Sequence, residues 1–174
     1  MRKVIVLTAA AALLLGCSPP SQSSNTPSAH APVIAACNSV APDRQRQIAV
    51  GDALAEAAAA ADLRGGAIAP GVYDLTRAAR LGAATGWTGT RAVALEVSEA
   101  ETGGVTFNWA GAGPDGVLDT WTATFTDTPQ PKLTYTCGRI GEVAADFAAH
   151  ANALQLRLPD GANGRLALDF QRRP

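Results

Sequence analysis

The chain has 174 residues, with 14 lysines and arginines against 15 aspartates and glutamates, and a net charge of −1. So even a balance supplies no field that would draw a polyanion, and nucleic acid is excluded as a partner. Hydrophobic residues make up 47% and charged residues 17%, which suits one packed domain and leaves no acidic or basic tail.

Arg2 and Lys3 open the chain, an apolar run follows from Val4 to Leu15, and Gly16 is a small stop. This is the pattern of an export signal, too short to span a bilayer. Leu14-Leu15-Gly16-Cys17 resembles the bacterial lipobox, and the resemblance implies cleavage after Gly16 and lipidation of Cys17. The alternative is an ordinary secretory peptide whose stop falls beside a cysteine. Beyond Cys17 the sequence has no cluster of basic residues, so attachment to a membrane would rest on the lipid. Ser18, not aspartate, follows the cysteine, and resemblance to sorted lipoproteins of two-membrane envelopes implies a periplasm-facing place on the outer membrane.

Residues 17–33 carry Pro19, Pro20, Pro27 and Pro32 among serines, with no apolar period. They cannot bury enough surface to offset their ordering entropy and read as a tether, reaching about 20 Å. Residues 34–64 read as a helical extension. Asp43 to Leu63 is alanine-dense, with Pro42 placed for a first turn and Gly65-Gly66 for a stop, although the stripe of Val50, Leu54, Ala58 and Ala61 is thin. Two cysteines remain, Cys37 and Cys137. An even pair in an exported chain predicts one disulfide, the alternative being two buried thiols.

Past Gly66 the period changes from 3.6 to 2. Val93, Leu95 and Val97 alternate with small or polar neighbours. So do Val105, Phe107 and Trp109; Trp121, Ala123 and Phe125; Leu133, Tyr135 and Cys137; Leu154, Leu156 and Leu158; and Leu166, Leu168 and Phe170. One apolar face per strand is the mark of an antiparallel sheet packed on one side. Glycine and proline clusters between the runs predict short returns. Ala67 to Leu75 and Arg77 to Thr85 add two strands, for about eight in an all-β antiparallel meander that is closed, or nearly closed, into a small barrel. Gly141 to Ala151 lacks alternation and predicts one or two helical turns.

Gly65-Gly66-Ala-Ile68-Ala-Pro-Gly71-Val-Tyr73-Asp-Leu75-Thr76 resembles the opening strand of the lipocalin-like bacterial envelope lipoproteins, and Leu133-Thr-Tyr135 and Gly164 to Arg172 resemble their closing strands. The resemblance spans residues 65–174 and implies a small meandering barrel in the cell envelope. Gly71 suits a place where a side chain would collide with a crossing strand, and Tyr73 suits a barrel end, its ring inside. Tyr73, Phe107, Trp109, Trp121, Phe125 and Tyr135 are expected to fill a packed core, the alternative being the wall of an apolar pocket.

The chemistry-bearing residues are sparse. His30 falls in the tether and His150 beside alanines, so no histidine pair is available in the folded part for a metal or a proton relay. Asp115 and Asp119 share a glycine-rich loop but lack the spacing of a calcium loop. Neither a metal, a cofactor nor an enzymatic activity is expected. Two functional classes follow. One is a non-catalytic binding or scaffolding module, held to the membrane through a lipid anchor and contacting a small apolar ligand or an envelope protein. The other is a periplasmic proteinaceous inhibitor of a hydrolase, since Tyr135-Thr-Cys137 with a lipobox resembles the membrane-bound inhibitors of c-type lysozyme.

Overall fold

The structure is a computed structural model that describes residues 36–52, 63–101 and 103–174. The signal, Cys17 and the tether lie outside the described residues, as does the 53–62 stretch of the expected helix. Ten strands follow one another: β1 (Ile48–Asp52), β2 (Gly71–Gly82), β3 (Thr90–Glu99), β4 (Val105–Ala112), β5 (Leu118–Thr126), β6 (Lys132–Cys137), β7 (Glu142–Ala144), β8 (Asp146–His150), β9 (Ala153–Pro159) and β10 (Gly164–Arg172). They form one sheet in the order β7-β6-β5-β4-β3-β1-β2-β10-β9-β8, with β2 also paired to β3. The all-β expectation stands, and four finer expectations are corrected.

The helical reading fails at Ile48–Asp52, which is a strand. β2 and β3 are paired only from Gly71↔Val97 to Asp74↔Ala94; beyond this they part, and β1 sits between them, parallel to β2 at Val50↔Ala78 and antiparallel to β3 at Ile48↔Arg91. Two diverging strands leave unpaired N–H and C=O groups, and satisfying them outweighs a local preference for helix.

The two strands expected between Ala67 and Thr85 are one strand, Gly71–Gly82. Phe170 pairs with Leu75 and Asp169 with Arg77, so Thr76 is the extra residue of a bulge. The bulge moves the core-facing positions from Tyr73 and Leu75 to Ala78, which breaks the period of 2 and makes one strand read as two.

Gly141 to Ala151 holds β7 and β8, not helical turns. Ala145, Phe147 and Ala149 all face the core. Alanines at 144 and 148 on the opposite face hide that alternation in the sequence.

The count is ten strands instead of eight, and the hydrogen-bonded ladder is not closed: β7 and β8 are its two ends. Those ends are consecutive in the chain, with Ala145 alone between them. Ala145 N–H donates to Pro131 O at 3.0 Å on the β6 side, while the free edge of β8 is met by Gly65, whose N–H donates to Phe147 O and whose carbonyl accepts from Ala149 N–H, both at 3.0 Å. A sheet end covered in this way offers less template for pairing with another chain.

Residues 37–47 form a strap across the outward face. Cys37 is bonded to Cys137 at the end of β6, with Cα atoms 5.6 Å apart. The Asn38 side-chain amide donates to Trp109 O at 3.2 Å and Trp121 O at 3.0 Å. At the other end Ala41 O accepts from the Arg173 guanidinium at 3.2 Å, and Arg173 forks onto Asp74 at 2.9 and 2.6 Å. The outward positions of β3 and β4 between these anchors are Ala92, Ala94, Ala110 and Ala112, all with no exposed surface. Methyl groups let a backbone cross the sheet closely.

The disulfide closes a loop with a sequence separation of 100. The chain-entropy account gives about 4.7 kcal/mol for a loop of that size. Replacing both cysteines by serine is expected to lower the unfolding free energy by roughly 3–5 kcal/mol, read as a drop in the urea midpoint. An unchanged midpoint would show that the strap's hydrogen bonds alone hold it.

Candidate functional site

The interior is built from rings that the period of 2 turns inward. Trp109 and Trp121 are direct cross-strand partners on β4 and β5, and their rings stack at 5.2 Å. Trp87, from the β2–β3 connection, stands edge-on to Trp109 at 6.5 Å, Phe170 of β10 does so at 6.0 Å, and Tyr135 of β6 is edge-on to Trp121 at 5.3 Å. A second group lies further along the same strands, where Phe107 stacks on Phe125 at 5.2 Å and Phe147 meets Phe125 edge-on at 4.9 Å. Pairs of this geometry add about 0.5–1.5 kcal/mol each to the burial of their area.

Of the six expected wall residues, Trp109, Trp121 and Tyr135 therefore share one cluster and Phe107 and Phe125 another. Tyr73 is apart from both. Its partners are Leu95 on β3 and Arg172 on β10. Its ring is buried, and the hydroxyl, expected near water, donates instead to Ala69 O at 2.7 Å. Burial pushes the phenol above its ordinary 10.0, partly offset by the positive charge of Arg172. Gly71 beside it has φ +143°, which side-chain-bearing residues rarely adopt, and a Cβ there would meet the movable Arg172 side chain, 2.8 Å from its Nε, and not the backbone of a crossing strand. Sequence reasoning does not reveal Phe147, because its segment lacks alternation and predicts helical turns, and it gives Phe170 as a strand residue without its place against Trp109.

Two indole N–H groups in this interior, Trp87 Nε1 and Trp109 Nε1, have no hydrogen-bond acceptor among the described residues. Both residues are 5% exposed. Gly111 faces the second of them; a Cβ at that position would come within 3.2 Å of Trp109 Nε1. Two donors in an apolar cluster are the polar features an acceptor-bearing ligand would meet.

The outward side carries a polar chain. Asn108 donates to Glu96 at 3.1 Å, Thr122 Oγ1 lies 2.9 Å from Asn108 Oδ1, and the same hydroxyl lies 3.3 Å from Cys37 O. The Arg173 guanidinium is held above its usual range, first by its hydrogen bonds to Asp74, against partial burial. On β7 the Glu142 carboxyl is held below its usual range by hydrogen bonds from Lys132 and Thr134. Asp115 accepts Val117 N–H at 3.1 Å, and Asp119, which belongs to β5, pairs with Arg139 at 3.1 Å.

Surface hollows open at opposite rims. One of about 440 Å³ lies between Thr88–Arg91 and Gly113–Asp119; another of about 150 Å³ is lined by Ile68, Val105, Phe125 and Phe147.

No family model and no curated protein matches this chain. Among solved structures, the chain is similar to a de novo designed fluorescence-activating beta barrel, at 12% identity and a TM-score of 0.39, over 60% of this chain and 94% of that one. A likeness so distant carries no argument about what this protein does.

Tyr73→Phe removes the hydrogen bond to Ala69 O and is expected to cost about 1 kcal/mol at neutral pH. The raised phenol value makes the folded state favour the neutral ring. That contribution is intact below the ordinary value of 10.0 and is lost as pH rises from there through the folded-state value. Urea titrations from neutral pH to about pH 11 should show this alkaline loss in the parent and less of it in the phenylalanine variant. Equal losses would place the alkaline sensitivity elsewhere.

Proposed function

We propose that this chain is a lipid-anchored protein of the cell envelope, exported, acylated at Cys17 and held to the periplasmic side of the outer membrane, where its β domain serves as a non-catalytic binding or scaffolding module. The observation that carries this reading is the Cys37–Cys137 pair, 5.6 Å apart at Cα and bonded. Disulfides persist in oxidising compartments, so the pair supports the export that the first sixteen residues imply. The Ser/Pro-rich stretch after Cys17 supports a tethered domain.

The ten strands are read as a nearly closed, lipocalin-like barrel whose seam runs between β7 and β8. The single residue joining those strands and the backbone pairing of Gly65 with β8 support the reading. Stacked indoles and phenyl rings across the interior favour a barrel filled by its own side chains, as small barrels can be. The module would then act through its surface. A small apolar ligand with a hydrogen-bond acceptor is the occupant that the two unpartnered indole N–H groups would suit if the interior opens.

Intact mass of protein extracted from membranes should show acyl chains on the fragment beginning at Cys17. Cys17→Ala should move the domain to the soluble periplasmic fraction with its circular dichroism unchanged, because acyl chains carry the attachment at about 0.8 kcal/mol per buried methylene. A variant that stays with membranes through a high-salt wash would overturn lipid anchoring. Native mass spectrometry of the same material tests the interior, since a copurifying lipid would overturn the filled barrel.

A further inference from the structure

The domain has two unlike rims. The connections 83–89, 113–117, 138–141 and 160–163 meet at one of them, because each follows a strand running in the direction of β2. That rim carries all three large hydrophobic side chains exposed among the described residues: Val117 at 67%, Leu118 at 48% and Ile140 at 100%. Arg139 pairs with Asp119 at 3.1 Å, tying the turn that displays Ile140 to the start of β5 where Leu118 stands. The guanidinium of Arg139 also lies over the rings of Trp121 and Tyr135, at 5.7 and 5.8 Å, which fixes the base of that turn. At the opposite rim the connections 100–104 and 127–131 are flanked by exposed Glu99, Glu101 and Asp127. The first rim also holds the carboxylates of Asp115 and Asp160, each accepting a backbone N–H, so what sets it apart is its exposed apolar side chains beside Arg139.

The chain outside the described domain joins it at the apolar rim. Cys37 is bonded to Cys137, and its N–H donates to Thr120 Oγ1 at 3.3 Å. Thr120 is two residues from Leu118, and Cys137 three from Ile140. Three residues span about 10 Å at most. The stretch from Cys17 therefore joins the domain beside Ile140, and a flexible chain of its twenty residues would reach about 25 Å.

We propose that this rim rests on the lipid bilayer, with Ile140, Val117 and Leu118 seated at the boundary of headgroups and acyl chains and Arg139 at the level of the phosphates. The proposal rests on the anchored-domain reading for the membrane it faces. Asp119 does not oppose it, since Arg139 at 3.1 Å and Arg91 at 3.9 Å neutralise that carboxylate. Three partly inserted side chains give a reversible contact. An anchor a few nanometres away supplies the effective concentration that makes such a contact persist, so the rim orients the domain and does not by itself retain it.

The test uses the mature chain beginning at Cys17, coupled through the Cys17 thiol to a maleimide phospholipid in phosphatidylethanolamine–phosphatidylglycerol vesicles. Cys37 and Cys137 are bonded to each other, so Cys17 is the one thiol left to react. Because the anchor is attached chemically, the outcome does not depend on whether the cell acylates Cys17; the mass of the native protein decides that separately. Ile140→Trp and Gln130→Trp, placed at opposite rims on exposed residues, are compared in vesicles with brominated acyl chains, after subtraction of the parent's emission. The emission added at 140 should fall by roughly twofold or more and that added at 130 should not change. Leu118→Trp should be quenched likewise, and Ile140→Asp in the same chain should relieve it without altering the circular dichroism. Equal quenching at both rims, no quenching at 140, or quenching at 118 that survives Ile140→Asp would overturn the proposal. An unquenched Ile140→Trp protein that runs as a dimer would also overturn it, and would give the patch to a second copy of the chain.

Discussion

Cys37 and Cys137 lie a hundred residues apart in sequence, and their bond brings the first described residues to the far end of β6. From that fixed point the chain must travel back across the sheet to reach β2 and β3, and the strap is the path it takes. The alanines on the outward side of β3 and β4 are explained by this path, because a larger side chain would hold the backbone away. So is the Asp74–Arg173 fork, where the strap reaches the β2 and β10 edge and Ala41 shares the guanidinium. β1 continues the strap, entering the sheet where β2 and β3 part.

The same bond gives the domain a direction. A barrel-like sheet has two ends, and the staple sets the incoming chain at the end where Ile140, Leu118 and Val117 are exposed. The interior is divided along the same axis. Trp109, Trp121 and Tyr135 occupy one part of it and Phe107, Phe125 and Phe147 the other, each group packed edge-on or face to face.

Much of the sheet was legible. The strands holding Val93 to Val97, Val105 to Trp109, Trp121 to Phe125 and Leu154 to Leu158 appear where alternation places them, because each has large apolar residues at every second position and small or polar ones between. The candidate rings stand out for the same reason, and five of the six fall into two clusters. The elements that alternation does not reveal lack that contrast. Thr76 as a bulge shifts parity inside β2, and alanine on both faces of residues 144–149 removes the difference in size that reveals a strand.

The sequence by itself determined that the described domain is all-β, which residues of the alternating strands face inward, and which two cysteines pair, since each follows from local alternation or from an even count. Tertiary structure alone decided that Ile48–Asp52 is a strand, that the sheet ends at β7 and β8 with Ala145 between them, and that the exposed hydrophobic residues gather at the rim where the strap begins. These depend on which backbone groups are left unpaired once the other strands have formed and on how loops distant in sequence meet. Such long-range pairings leave no periodic trace in a single stretch of chain.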